Sequence, residues 1–70
     1  MTRVTVQDLR TARYCLKGAR AWFARNGFEW AELVRDGIAA ERLQATGDAL
    51  VNAAVRAAEA RERQERDHGR

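Results

Sequence analysis

Apolar residues recur at helical spacing in several segments of the chain, and the longest of these segments lies near the N-terminus. Between Thr5 and Arg25 the apolar residues fall in one arc of a helical projection, and most basic residues fall in the opposite arc. Thr5, followed by Asp8 three residues later, is typical of a capping box and predicts that a helix begins there. One helix to Arg25 and a split into two helices near residues 13–15 both fit this pattern. The apolar arc contains Leu9, Ala12, Cys15, Leu16, Ala19, Trp22 and Phe23.

Two shorter helices are predicted in the middle of the chain, and glycine marks the helix ends. Asn26-Gly27 predicts the end of the first helical region, because glycine adopts the left-handed C′ conformation without steric cost. Residues 29–36 predict a second helix that Gly37 ends. Residues 39–44 predict one further helical turn.

The last predicted helix changes character along its length. Thr46 is the candidate N-cap, with Asp48 in the first turn. Apolar positions continue to Ala58 and then nearly vanish, although charge pairs at i,i+4 spacing can prolong the helix. We therefore divide the chain into a helical domain, residues 1–58, and a charged extension, residues 59–70. We expect a frayed helix or disorder in that extension, since no apolar residue anchors it.

These elements predict a single all-α domain, a compact bundle of three to five short helices. Seventy residues leave room for one small core. Residues 1–4 are expected to be a loose, extended start. The predicted core contains Leu9, Leu16, Trp22, Phe23, Phe28, Trp30, Leu33, Ile38, Leu43, Leu50 and Val51.

The composition argues against several classes of chemistry. Cys15 is the only cysteine, so no disulfide can form within the chain, and its helical position predicts a small buried core residue. The only histidine is His68, in the charged extension, so neither a His-based catalytic arrangement nor a zinc site is expected. The glycines are scattered and form no phosphate-binding loop. We expect a protein that is not an enzyme, with no catalytic residues, no metal and no cofactor.

The N-terminus lacks the apolar run of a signal peptide, and no stretch approaches the length of a membrane helix. We therefore expect a cytoplasmic protein without a membrane partner.

Charge is sorted along the chain. Residues 1–26 contain six basic residues and one acid, whereas residues 27–55 contain two basic residues and five acids. The basic side chains of the first region repeat at i, i+3, i+7 and i+10, which places them on one side of a continuous helix. The candidate interaction face consists of Arg10, Arg13, Lys17 and Arg20.

This basic face suits two kinds of partner. Basic and acidic regions in one molecule can steer a protein partner or a second copy of the chain into contact. The same face can contact phosphates, so a small nucleic-acid-binding protein is the alternative. A helix-turn-helix is disfavoured, because its second helix would present Glu29, Glu32 and Asp36 to the polyanion.

Four short motifs resemble a group of small uncharacterised proteins encoded by bacteriophages and prophages of Gram-negative bacteria. The motifs are CLKGARAWF at residues 15–23, NGFEW at 26–30, GI at 37–38 and ATGDAL at 45–50. The resemblance covers roughly residues 4–55 and carries no catalytic residue. Members of the group often have glycine at the position of Arg13, which would favour a helix break near Tyr14.

The resemblance implies a phage or prophage accessory protein of the bacterial host cytoplasm or the virion. Such short reading frames often lie near virion-assembly genes. We therefore expect binding to another protein during virion assembly, with a phage structural protein or a second copy of the chain as the partner.

Overall fold

Helices dominate the computed structural model, which describes the backbone of residues 2–68 and the side chains of residues 2–66. Within this range there are five helices and one two-stranded sheet. A mostly helical single domain is thus confirmed, but a strictly all-α fold is wrong, and the last helix, with 18 residues, is not short. In chain order the elements are β1 (Arg3–Val4), α1 (Val6–Thr11), α2 (Leu16–Arg25), α3 (Trp30–Arg35), β2 (Ile38–Ala39), α4 (Ala40–Gln44) and α5 (Val51–His68).

The N-terminal helical region consists of two helices, so the split is confirmed and the single helix is wrong. The predicted capping box begins α1, and the Asp8 carboxylate accepts hydrogen bonds from the Thr5 backbone N–H at 2.8 Å and hydroxyl at 3.0 Å. The end of α1 is a Schellman motif, because the N–H groups of Arg13 and Tyr14 donate to the carbonyls of Arg10 and Leu9. Arg13 has the left-handed φ of 64° that this motif requires at its C′ position.

The sheet joins the start of the chain to its middle. Val4 pairs with Ile38 in an antiparallel register, and both side chains are completely buried. The expectation of a loose start is therefore wrong, because Val4 belongs to the core. Gly37 ends α3 with a φ of 80°, and a Cβ at that position would lie 3.0 Å from the Val4 carbonyl oxygen. Strand pairing therefore adds a second requirement for glycine at this helix end.

The core surrounds the first half of α5 and confirms most of the predicted positions. Leu16, Phe28 and Trp30 are partly buried against it. Two predictions are wrong: Leu50 is 63% exposed and Cys15 is exposed. The buried apolar residues are Val4, Leu9, Trp22, Phe23, Leu33, Ile38, Ala40, Leu43, Val51, Ala54, Val55 and Ala58.

The start of α5 explains the position of Leu50. Thr46 is not an N-cap, because α5 begins only at Val51. The Thr46 hydroxyl donates to the Leu43 carbonyl at 2.7 Å at the end of α4 and accepts the Asp48 N–H at 3.3 Å. The following turn is closed by Asp48, whose carboxylate accepts the Leu50 N–H at 2.9 Å. The helix then begins at Val51, so Leu50 lies in the preceding turn and projects into solvent.

The second half of α5 continues as helix beyond Ala58, through His68. The sequence pattern predicts no anchor there, but Arg61 supplies a polar one. Its guanidinium donates to Asp8 at 3.0 and 3.2 Å and to the Arg3 carbonyl at 3.0 Å. A frayed helix or disorder was expected for residues 59–70. Residues 69 and 70 of this extension lie outside the described part of the chain.

None of the helices described is both long and apolar enough to cross a membrane.

Candidate functional site

An apolar pocket lies between α2 and the start of α5. Its volume is about 290 Å³. Gly18, Ala19 and Trp22 of α2 form one wall, and Val51 and Ala54 of α5 form the other. Leu9, Phe23 and Leu43 extend this apolar lining, and Tyr14, Cys15, Arg25 and Leu50 complete it.

Small residues leave the pocket open. Gly18 has no side chain, and a Cβ built there would meet only the Cβ of Cys15, at an ordinary contact distance of 4.0 Å. Ala19 and Ala54 add short side chains to the two walls. Glycine within a helix costs up to about 1 kcal/mol relative to alanine. At this position the missing side chain creates space that a residue from outside can occupy.

A hydrogen bond fixes the wall formed by Trp22. The indole Nε1–H donates to Asp48 at 2.7 Å, which ties α2 to the turn before α5. This bond is the main reason that the pKa of Asp48 lies below its ordinary value; the Leu50 N–H bond and the charge of Arg25 lower it further, against partial desolvation. The ionised carboxylate thus holds both the indole and the turn that presents Leu50.

The pocket lining also contains two polar side chains, those of Tyr14 and Cys15. The Tyr14 hydroxyl is buried and forms no hydrogen bond with the described residues. Cys15 is exposed at the N-cap of α2, and it is a free thiol. Among residues whose side chains are described, no group of three or more histidine, cysteine or carboxylate residues could hold a metal ion. Most of the residues that line the pocket are apolar.

The predicted interaction face is exposed, but it does not form one helical stripe. Arg10 lies on α1, Arg13 in the turn after it, and Lys17 and Arg20 on α2. The break between the helices removes the common helical spacing that grouped these residues. On α2, Lys17 and Arg20 point away from the side that carries Trp22, because a helix turns about 100° per residue. The Arg20 guanidinium carbon lies 5.6 Å from the centre of the Trp30 ring. Use of these four residues as one face stays a prediction.

The sequence pattern did not identify the exposed pocket residues Leu50 and Arg25, nor Asp48, which holds Trp22 and the turn before Leu50. Leu50 was expected in the core, and Arg25 and Asp48 had no assigned role in binding. The useful signal was Gly47-Asp48, a glycine and a turn-forming acid directly before a helix, which indicates a turn that delays the helix start.

Comparisons with known proteins gave no match: no protein-family model, curated protein or solved structure is significantly similar to this chain.

Proposed function

We propose that this chain is a non-enzymatic binding module that accepts apolar side chains of another protein in the pocket between α2 and α5. The observation that supports this proposal most directly is the exposure of Leu50, 63%, at the mouth of an apolar pocket. An isolated exposed leucine needs no explanation, but one that continues an apolar concavity is typical of a protein contact.

The size of the pocket favours a protein segment over a cofactor or small substrate. Its volume of about 290 Å³ lies at the lower limit for small-molecule sites, which usually bury most of the ligand. A protein partner needs only to insert a few side chains, while its remaining surface covers Leu50. Such an arrangement places the apolar anchors at the centre and polar groups at the rim, as in ordinary protein interfaces.

The resemblance to phage-encoded proteins supports a more specific version of this proposal. It would make the partner a phage structural protein, or a second copy of the chain, and the setting virion assembly. This context rests on the resemblance alone.

Unpaired positive charge favours nucleic acid as a second candidate ligand. Arg10, Arg13 and Lys17 are exposed and form no ion pair with any residue whose side chain is described. Phosphate binding by these residues would depend steeply on salt concentration. It would leave the pocket and Leu50 without a role, so we place it second.

Selection from a displayed peptide library tests the protein-binding proposal. The library contains helical peptides of about 16 residues, with apolar residues fixed at i, i+3, i+4 and i+7 and the other positions randomised. Gly18→Leu fills the pocket with a better helix former, so the fold should be retained while peptide binding is lost. Ala24→Leu, on the opposite, exposed side of α2, is the matched control.

Each outcome of this selection has a defined meaning. Peptides that bind the natural chain and Ala24→Leu, but not Gly18→Leu, would support the pocket as a docking site. Thermal unfolding of both variants verifies that they are folded. Failure to enrich any peptide that Gly18→Leu rejects would overturn the proposal. A gel shift of duplex DNA that weakens steeply with salt and is lost in Arg10→Ala/Lys17→Ala would favour the second candidate.

A further inference from the structure

We infer that the segment bound in the pocket is an acidic amphipathic helix, whose apolar face enters the pocket while a carboxylate beside that face pairs with Arg25. This inference rests on the proposed function and adds the chemistry of the partner. It follows from the shape of the pocket between α2 and α5 and from the charged residues around that pocket.

Arg25 is the one charged residue in the lining of the pocket. It forms no ion pair within the part of the chain whose side chains are described. The nearby Asp48 carboxylate already accepts hydrogen bonds from Trp22 and from the Leu50 N–H. A guanidinium beside an apolar surface is suited to bidentate pairing with a carboxylate, and part of its cost of desolvation is then offset. The lining itself contributes no carboxylate for this purpose.

The wider charge distribution favours the same sign of partner. Residues 1–26, which include α1 and α2, carry six basic residues against one acid, and that acid, Asp8, is buried against Arg61. The positive field of this half of the molecule attracts acidic segments and accelerates their association at low salt.

The pocket suits a helical partner segment better than an extended strand. Two helices border it, and the short side chains of Gly18, Ala19 and Ala54 allow a third helix to approach closely. Each strand of the sheet has only two residues, so strand addition would form few hydrogen bonds.

A second copy of the chain is a poorer occupant than an acidic partner. A twofold contact between two identical pocket faces would place Arg25 of each copy against a lining that contains no carboxylate. The Asp48 carboxylate near Arg25 already accepts hydrogen bonds from Trp22 and from the Leu50 N–H. Nucleic acid would satisfy Arg25 but would leave the apolar walls uncovered.

The displayed library tests the inference when the randomised positions encode Glu, Gln, Lys and Ala in equal proportion. We expect glutamate to be enriched at the positions flanking the apolar face. The selected peptides are then synthesised with glutamate or glutamine at those positions. Their affinities are measured by anisotropy for the natural chain, Arg25→Gln and Arg56→Gln. Arg56, exposed on α5 outside the pocket lining, is the matched control.

The expected result is an approximately fivefold loss of affinity for the glutamate peptide in Arg25→Gln, with no loss for the glutamine peptide or in Arg56→Gln. Equal affinity of the glutamate and glutamine peptides, or enrichment of lysine, would overturn the acidic partner while leaving the docking pocket intact. Selection of peptides that bind Gly18→Leu equally well would instead contradict the docking pocket itself. Light scattering that shows a dimer disrupted by Gly18→Leu would identify a second copy as the occupant and overturn the inference.

Discussion

Arg61 on α5 donates two hydrogen bonds to the carboxylate of Asp8 on α1, 53 residues earlier in the chain. The Asp8 side chain is 1% exposed, whereas that of Arg61 is 28% exposed. Asp8 also accepts the two hydrogen bonds from Thr5 that begin α1. One carboxylate thus starts the first helix and holds the second half of the last one, which has few apolar contacts of its own.

We predict that Arg61→Ala destabilises the protein by about 2 kcal/mol, because the substitution leaves a buried carboxylate without its cation. The partial exposure of Arg61 keeps this loss below that of a fully buried pair. Urea unfolding followed by circular dichroism measures it. Arg63→Ala, on an exposed position of the same helix, should change the free energy of unfolding by less than about 0.5 kcal/mol. Equal effects of the two substitutions would show that the Asp8 contact contributes little.

We predict that Arg13→Gly stabilises the protein by about 1 kcal/mol, because Arg13 occupies the left-handed C′ position that ends α1. Glycine has no Cβ, so it adopts this conformation without the steric contact that a Cβ makes with the backbone. Arg13→Ala is the control, since alanine keeps the Cβ and removes only the guanidinium. A lower melting temperature for Arg13→Gly than for Arg13→Ala would contradict the prediction.

The pKa of Asp48 is lowered in the folded protein, first by the Trp22 indole N–H and then by the Leu50 N–H. A lowered pKa means that this carboxylate adds stability above its ordinary pKa and that the contribution is lost as the pH falls through the lowered value. We predict that Asp48→Asn loses less stability between about pH 6 and about pH 3 than the natural chain. Urea unfolding at both pH values measures the difference, and Glu59→Gln on an exposed position of α5 is the control. An unchanged pH dependence in Asp48→Asn would exclude this role.

Local features of the fold could be predicted from the sequence, because their causes lie within a few residues. The capping box at Thr5 and the glycine helix ends at positions 27 and 37 are such features, and the structure contains them. The sheet could not be predicted, since Val4 is recognised as a strand residue only when it pairs with Ile38. Asp8 had a local explanation as a capping residue, and its partner Arg61 lies too far along the chain to be inferred from spacing.

The candidate site was less predictable than the fold. Helical periodicity assigned Leu50 to the core because the last helix was expected to have Thr46 as its N-cap, whereas it begins at Val51. Because the helix begins later, Leu50 lies in the turn before it and not on its inward face, and its side chain is exposed. Periodicity also grouped Arg10 with Lys17 and Arg20, but the left-handed residue between α1 and α2 changes the direction of the chain.

Gly37 and Gly27 provide a matched test of the strand pairing. Both end a helix with a positive φ, 80° and 77°, so alanine is strained to a similar degree at either position. A Cβ on Gly27 would meet nothing within 4 Å, whereas one on Gly37 would lie 3.0 Å from the Val4 carbonyl oxygen.

We predict that Gly27→Ala costs about 1 kcal/mol of stability and Gly37→Ala at least about 2 kcal/mol, because the second substitution also pushes β1 away from β2. Urea unfolding gives both values. Hydrogen exchange of the Ala40 amide, which donates to the Thr2 carbonyl at 2.9 Å next to the strand pair, reports the sheet directly. Faster exchange is expected in Gly37→Ala alone. Equal losses of stability with unchanged exchange would mean that backbone strain explains both glycines and that the close approach of Val4 constrains neither.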